Sequence, residues 1–290
     1  MLKGNAYAHV SLGMLVVGSN LVTATTIPQA AVTKQQHIAI VVLLLRGFVW
    51  FTAYGYLFDL RNQLLDHDTQ GDAANAANGV ASKQDRPFLT GNHLFSVESA
   101  KQRCWAVAVG FVLASNYMGG LPLAICAAAW TTVSMFYGPL GSHYLTKNHL
   151  TMSVGSVCML VGARVLVGRT WWHLPSIAIG VWAGCNAGVQ DFRDAAGDRL
   201  DGRRTLPICF GVSTAKKVWM IQNILTTTVL GWVFCRSSLL LSWTVDGVAL
   251  VATAVQMIHT GFASTVPEWD AAYRNYVTLL AILFVRSCFW

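Results

Sequence analysis

The chain has 290 residues, 54% of them hydrophobic and only 11% charged, with a formal net charge of +7. Soluble domains carry about 25% charged residues, so the composition excludes an ordinary soluble domain and points to an all-α, polytopic membrane protein. In so apolar a chain the basic excess is read as loops facing an anionic leaflet, not as a nucleic-acid surface.

Nine stretches approach the roughly 20 residues that a bilayer requires. They lie near 6–30, 37–60, 99–117, 119–138, 146–168, 172–192, 214–235, 238–263 and 271–290. Ser, Thr, Asn and Pro28 interrupt the first. The third and fourth are separated only by Met118-Gly119-Gly120, which predicts a tight turn. Two polar loops remain, at about 61–98 and 193–213, and the Ala/Asn/Gly/Asp-rich part of the first (69–82) reads as a flexible insertion. The chain is expected to form one domain over 1–290. With nine spans, one side carries most of the Lys and Arg, and the other only Lys34, Arg169 and Arg236. The positive-inside rule then places both polar loops in the cytosol. Seven Cys scattered singly through apolar runs read as small buried hydrophobes rather than disulfides or metal ligands.

The second span ends in Asn62-Gln63-Leu64-Leu65-Asp66. Asn62 and Asp66 stand at i and i+4, so they share a helix face, with Phe51 and Phe58 above them. An amide oxygen beside a carboxylate suits Mg²⁺, although such residues also cap and solvate helix ends. The sixth span ends in Gln190-Asp191-Phe192-Arg193-Asp194-Ala195-Ala196-Gly197-Asp198. On one continuous helix, Asp191, Asp194 and Asp198 at i, i+3 and i+7 share a face. Grouped carboxylates at a membrane edge repel one another and are costly to bury. A hard cation such as Mg²⁺ would hold them and leave positions open for phosphate oxygens. Pairing with Arg193, Arg199, Arg203 and Arg204 in a solvated loop is the other reading. Arg86, Lys147 and Arg203 are candidate partners for a diphosphate.

These blocks resemble the UbiA superfamily of membrane prenyltransferases. The resemblance rests on Asn62-x3-Asp66, on Asp85-Arg86-Pro87-Phe88-Leu89-Thr90-Gly91, on Asp191-x2-Asp194-x2-Gly197-Asp198, and on Gly202-Arg203-Arg204-Thr205-Leu206-Pro207 followed by Gly211. It implies nine helices around a central cavity, with two Asp-rich motifs binding Mg²⁺ and the diphosphate of an isoprenyl donor. The first motif departs from the family pattern, with Gln63 and Gln70 at places usually acidic, and leaves its third ligand open between Asp68 and Asp72. The Phe58-Asp59-Leu60-x-Asn62-Gln63 run is similar to fungal UbiA-type terpene cyclases.

The expectation is a Mg²⁺-dependent enzyme that ionises farnesyl or geranylgeranyl diphosphate in an endomembrane, with its site facing the cytosol. Intramolecular capture of the carbocation gives a terpene cyclase. Capture by an aromatic acceptor gives a prenyltransferase. Phe51, Tyr54, Phe58 and Trp182 are the candidates to stabilise the cation through their ring faces. A third possibility, an ion or solute path, rests on Arg46, Arg164, Asp246 and Arg286 lying within spans, where pairing in the bundle core is the competing account. Oligomeric state is left open.

Overall fold

A computed structural model describes residues 13–15, 17–18, 34–66, 96–234 and 240–287. The described residues are mostly helical, with no strand among them, and one isolated parallel bridge joins His143 to Arg204. Most of the expected first span, the insertion 69–82 and Arg86 fall outside the described residues.

Helix α1 runs Lys34–Asp66. At 1.5 Å per residue its 33 residues extend about 50 Å, more than a bilayer core. Trp50, Tyr54, Leu57 and Phe58 point inward at helical spacing, while Val41, Val42, Leu45, Phe48 and Val49 are exposed. A helix that is apolar on both faces belongs in lipid. It continues past the expected end at residue 60 because Leu57 and Leu60 pack with Ala100, Cys104 and Ala108 of the next helix.

That helix, α2 (Val97–Met135), is two helices joined at Gly120, whose φ of 67° breaks the run just before Pro122. The turn expected at Met118-Gly119-Gly120 is therefore present. After the short α3 (Tyr137–Leu140) comes a π-helical segment, Leu145–Met152, which leads into α4 (Ser153–Leu166). Then follow α5 (Leu174–Asn186), two short helices α6 (Val189–Arg193) and α7 (Ala195–Leu200), and α8 (Leu206–Phe234). Helices α9 (Leu240–Phe262) and α10 (Val266–Arg286) complete the described chain. Helix α8 is also broken, at Gly211 (φ 73°).

Three described segments are long and apolar enough to cross a membrane: Ile38–Asn62, Val97–Met135 and Leu145–Leu166. The full set of nine spans is not established by these residues. Helix α5 is ended by the break at Ala187–Gly188, and the helices that follow are short, broken at Gly211, or border undescribed residues. Their outer faces are still apolar, with Ile221, Leu225, Val229 and Trp232 exposed in a stripe along α8.

Small residues set the spacing between helices, as in membrane bundles generally. A Cβ on Gly162 would lie 2.6 Å from the Trp50 ring, and one on Gly180 would lie 2.6 Å from the backbone nitrogen of Val157. Helices α4 and α5 therefore meet backbone to backbone. Gly180→Leu is expected to destabilise the fold by about 1–3 kcal/mol or more, lowering the detergent melting midpoint. An unchanged midpoint would show that this contact is loose.

Candidate active site

Asp191 and Asp198 do not lie on one uninterrupted helix. Helix α5 ends at Asn186, α6 begins at Val189, and Asp194 (φ −90°, ψ 4°) separates α6 from α7. The simple i, i+3, i+7 face is corrected accordingly, and the three carboxylates have different surroundings.

Asp191 is fully buried. One of its oxygens accepts from Lys147 Nζ at 2.6 Å and the other from Asn148 Nδ2 at 2.8 Å. The wide π turn holds these two consecutive residues against one carboxylate, and such turns recur at functional positions. Gly188 makes room for them, since a Cβ there would stand 3.2 Å from Asn148 Nδ2. Main-chain bonds lock the two segments together: Tyr144 N–H donates to Arg204 O at 3.0 Å, and Arg204 N–H to Ser142 O at 2.7 Å.

Asp194 accepts from Arg193 Nε at 2.8 Å and from Gln190 Nε2 at 3.0 Å. Burial acts to raise its carboxyl, but Arg193 beside it outweighs that and leaves it below the ordinary carboxylate value. Arg193 reaches on to Asp270 at 3.2 Å and lies 4.7 Å from the centre of the Tyr273 ring. Asp198, 2% exposed, accepts from Arg203 Nη1 at 3.2 Å with Oδ1. Its other oxygen, Oδ2, is buried without a hydrogen-bond partner. A buried carboxylate oxygen with no partner is costly, and it suits a hard cation. Among the described residues no three Asp, Glu, His or Cys side chains are grouped to hold a metal by themselves.

Asn62 is buried on α1, and Asp66 belongs to the last turn of that helix, its side chain outside the description. The end of α1 lies toward the Asp191 side of the bundle. Phe58 is 5.1 Å from Tyr137, and Gly138 closes on Leu65, just before the segment that carries Lys147. Tyr54 and Phe58 share a cavity with Gln190, which is bonded to Asp194. This cavity, about 120 Å³, has further aromatic wall from Trp130, Tyr273, Tyr276 and Phe284. Tyr54 stacks on Trp130 at 4.3 Å and donates its hydroxyl to Gly155 O at 2.7 Å.

Two of the four aromatic candidates are thus placed on the cavity wall. Phe51 packs edge-on against Trp50 in the core (4.9 Å), and Trp182 lines a different pocket. Asn148, Tyr273 and Tyr276 were missed by sequence reasoning. The spacing of Tyr273, Tyr276, Leu280 and Phe284 along α10 is the signal that would have found that wall. The five described cysteines are free. Asp246 and Arg286 form an ion pair at 2.6 Å, which accounts for those charges without a transport path.

A helical membrane bundle with a buried carboxylate–cation cluster beside an aromatic cavity defines the class. The UbiA prenyltransferase family model matches residues 20–282, and the chain belongs to that family. It is 31% identical over 169 residues to diterpene cyclase eriG of Hericium erinaceus, covering 56% of this chain and 50% of that protein. It is 32% identical over 171 residues to somaliensene A/B synthase of Streptomyces somaliensis, covering 57% and 52%. It is 29% identical over 172 residues to polyprenyl transferase eriF of Hericium erinaceus, covering 56% and 53%. The chain thus spans about half the length of the curated relatives it matches. The fold is that of a UbiA homolog from Archaeoglobus fulgidus bound to GPP and Mg²⁺, at a TM-score of 0.60 and 14% identity over 98% of this chain and 99% of that one. A digeranylgeranylglyceryl phosphate synthase also has a TM-score of 0.60, at 12% identity over 98% and 91%.

Removing Lys147 should leave Asp191 as an uncompensated buried charge. Lys147→Met is expected to cost about 3–5 kcal/mol, read as a large fall in melting midpoint. Adding Asp191→Leu should restore much of that loss. Additive effects in this double-mutant cycle would refute the coupling.

Proposed function

We propose that this chain is an integral-membrane, Mg²⁺-dependent enzyme that ionises an isoprenyl diphosphate, farnesyl or geranylgeranyl, and cyclises the carbocation. The carrying observation is the cluster of Lys147, Asp191, Asp198 and Arg203, in which Lys147 and Asp191 lie on the same segments as Met152 and Gln190, which line a cavity walled by aromatic rings. The relatives at about 30% identity support this reading, as does a fold neighbour bound to GPP and Mg²⁺. The site residues of this reading are Asn62, Asp66, Asp191, Asp194 and Asp198 for the metal, and Arg86, Lys147 and Arg203 for the diphosphate. Nine spans, with the site on the cytosolic side of an endomembrane, complete it.

Magnesium held there would supply positive charge to the leaving diphosphate. Asp198 Oδ2 is the oxygen ready to take part, because both oxygens of Asp191 and of Asp194 already accept hydrogen bonds. Lys147 and Arg203 add fixed cationic donors for phosphate oxygens. The C–O bond breaks with its electron pair on the diphosphate, leaving an allylic cation. The ring faces of Tyr54, Phe58 and Trp130 then attract that cation, at about 0.5–2 kcal/mol each. The apolar wall keeps out water that would quench it. Attack by a distal double bond closes the ring, and loss of a proton discharges the product. At about 120 Å³ the cavity is smaller than a site that engulfs its ligand. Met152 and Met159 on its wall are the flexible side chains that let it widen.

Intermolecular transfer to an aromatic acceptor is the second reading, favoured by the similarity to a polyprenyl transferase. The purified protein incubated with isoprenyl diphosphates and Mg²⁺, without acceptor, is expected to yield a cyclic hydrocarbon or alcohol. Strict dependence on an acceptor would give the transferase instead.

Asp198→Asn is expected to lower turnover at least about 100-fold with the melting midpoint little changed. EDTA should stop the reaction and Mg²⁺ restore it. Wild-type turnover in either case would refute the metal assignment.

A further inference from the structure

On the far side of Trp182 from the aromatic cavity lies a second pocket, of about 210 Å³, between α8, α9 and α10. Trp182 and Tyr276, stacked at 6.1 Å, stand between the two: Tyr276 lines the first and Trp182 the second. The walls of the second pocket are hydrocarbon, from Leu230, Phe234, Leu250 and Leu283 among others. Leu250 is 66% exposed and Gly231 is exposed, so the mouth faces the lipid side of the bundle.

The polar groups on its wall are of one kind. Trp182 Nε1 donates to Thr227 Oγ1 at 2.9 Å, and Thr227 donates to Asn223 Oδ1 at 3.2 Å. The Thr253 hydroxyl donates to Ala249 O at 2.8 Å. Every side-chain donor on the wall is therefore committed. What remains is acceptor capacity, on Thr253 Oγ1 and above all on the Asp246 carboxylate. Asp246 is 28% exposed and is gripped by fully buried Arg286, at 2.6 Å to Oδ1 and 3.2 Å to Oδ2. Arg286 in turn lies 4.6 Å from the centre of the Phe234 ring.

This arrangement selects among ligand charges. An anion meets the Asp246 carboxylate, and the nearby unpartnered donor, Arg286 Nη1, is fully buried and off the pocket wall. A cation gains little, because Arg286 already neutralises that carboxylate and desolvating an extra charge is costly. A neutral hydroxyl matches: it donates to Asp246, and its hydrocarbon tail fills the rest. The volume is below the roughly 300–1,000 Å³ of sites that engulf a ligand. The pocket therefore houses the hydroxyl end of a long molecule whose remainder lies in the bilayer. We infer that the pocket bounded by Trp182, Gly231, Asp246 and Thr253 is a lipid-side binding site for a long-chain alcohol, held by donation to Asp246. Such an alcohol comes either from isoprenoid metabolism or from bilayer lipid, as a diacylglycerol. The site is independent of the diphosphate reading.

The test is equilibrium binding of radiolabelled geranylgeraniol to the full chain in nanodiscs. Saturable binding is expected, at least tenfold weaker for the methyl ether, which cannot donate. Equal binding of alcohol and ether by the wild-type protein overturns the proposal without recourse to any variant. A Cβ on Gly231 meets open space, so Gly231→Phe should fill the pocket, keep the melting midpoint and lower affinity at least tenfold. Undiminished binding in Gly231→Phe overturns the location. Competition by dioleoylglycerol at equal potency identifies bilayer lipid as the source of the ligand. Its failure to compete identifies an isoprenoid alcohol.

Discussion

The site is built around one desolvated carboxylate. Asp191 has no access to water, so its charge is sustained by what touches it: an ammonium on one oxygen and an amide on the other. Removing a charge from water costs several kcal/mol after relaxation, and only close, well-directed partners offset that. The requirement reaches outward. Lys147 and Asn148 must both arrive from one side, which the π turn arranges. The segment carrying them must be fixed against the residues after α7, which the Ser142–Arg204–Tyr144 bonds accomplish. An arginine in that same loop, Arg203, pairs with Asp198. Helix α5 must approach α4 closely enough to present Asp191, which glycine at 180 permits.

From this follows a division of labour among three acidic residues that look alike in sequence. Asp191 is sealed. Asp194 is drawn into a network with Arg193, Asp270 and Arg274, and each of its oxygens already accepts a hydrogen bond. Asp198 sits between, buried but with one oxygen uncommitted. The break at Asp194 produces these differences. A continuous helix would have stacked the three charges at one surface, whereas the kink turns the middle one toward α10 and the Tyr273 ring.

How much of this was legible in the sequence depends on the range of the interaction. Local features were readable: the apolar runs, the turn at Gly120, and the acidic block with its following arginines. Tyr54 and Phe58 were among the aromatic candidates on α1, and both line the cavity. The partnership of Lys147 with Asp191 spans 44 residues, and no local pattern encodes it; Lys147 was singled out as a partner for a diphosphate, not for Asp191. Asn148 gave no signal, since an amide at the edge of an apolar run reads as an interruption. Phe51 and Trp182 were misplaced for a related reason. Periodicity says that a ring faces inward, but not what it meets: Phe51 packs on Trp50, and Trp182 lines the second pocket. The sixth expected span, 172–192, is interrupted at Ala187–Gly188, a break that hydropathy alone does not show.

The Trp182–Tyr276 stack has a consequence for both pockets. Each ring is tied to the backbone or to a neighbouring helix by its own polar atom: Tyr276 donates to Ala183 O at 2.7 Å, and Trp182 to Thr227. Rings held at both ends are poor gates, because swinging either one breaks a buried hydrogen bond as well as the stacking. The partition therefore acts as a wall. Under the proposed function, a cation formed beside Tyr54 and Phe58 would be separated by it from the Asp246 carboxylate, which would discharge it. Keeping nucleophiles out of the reaction chamber and offering acceptors to a lipid-borne alcohol are compatible because the two indole and phenol rings divide the bundle between them.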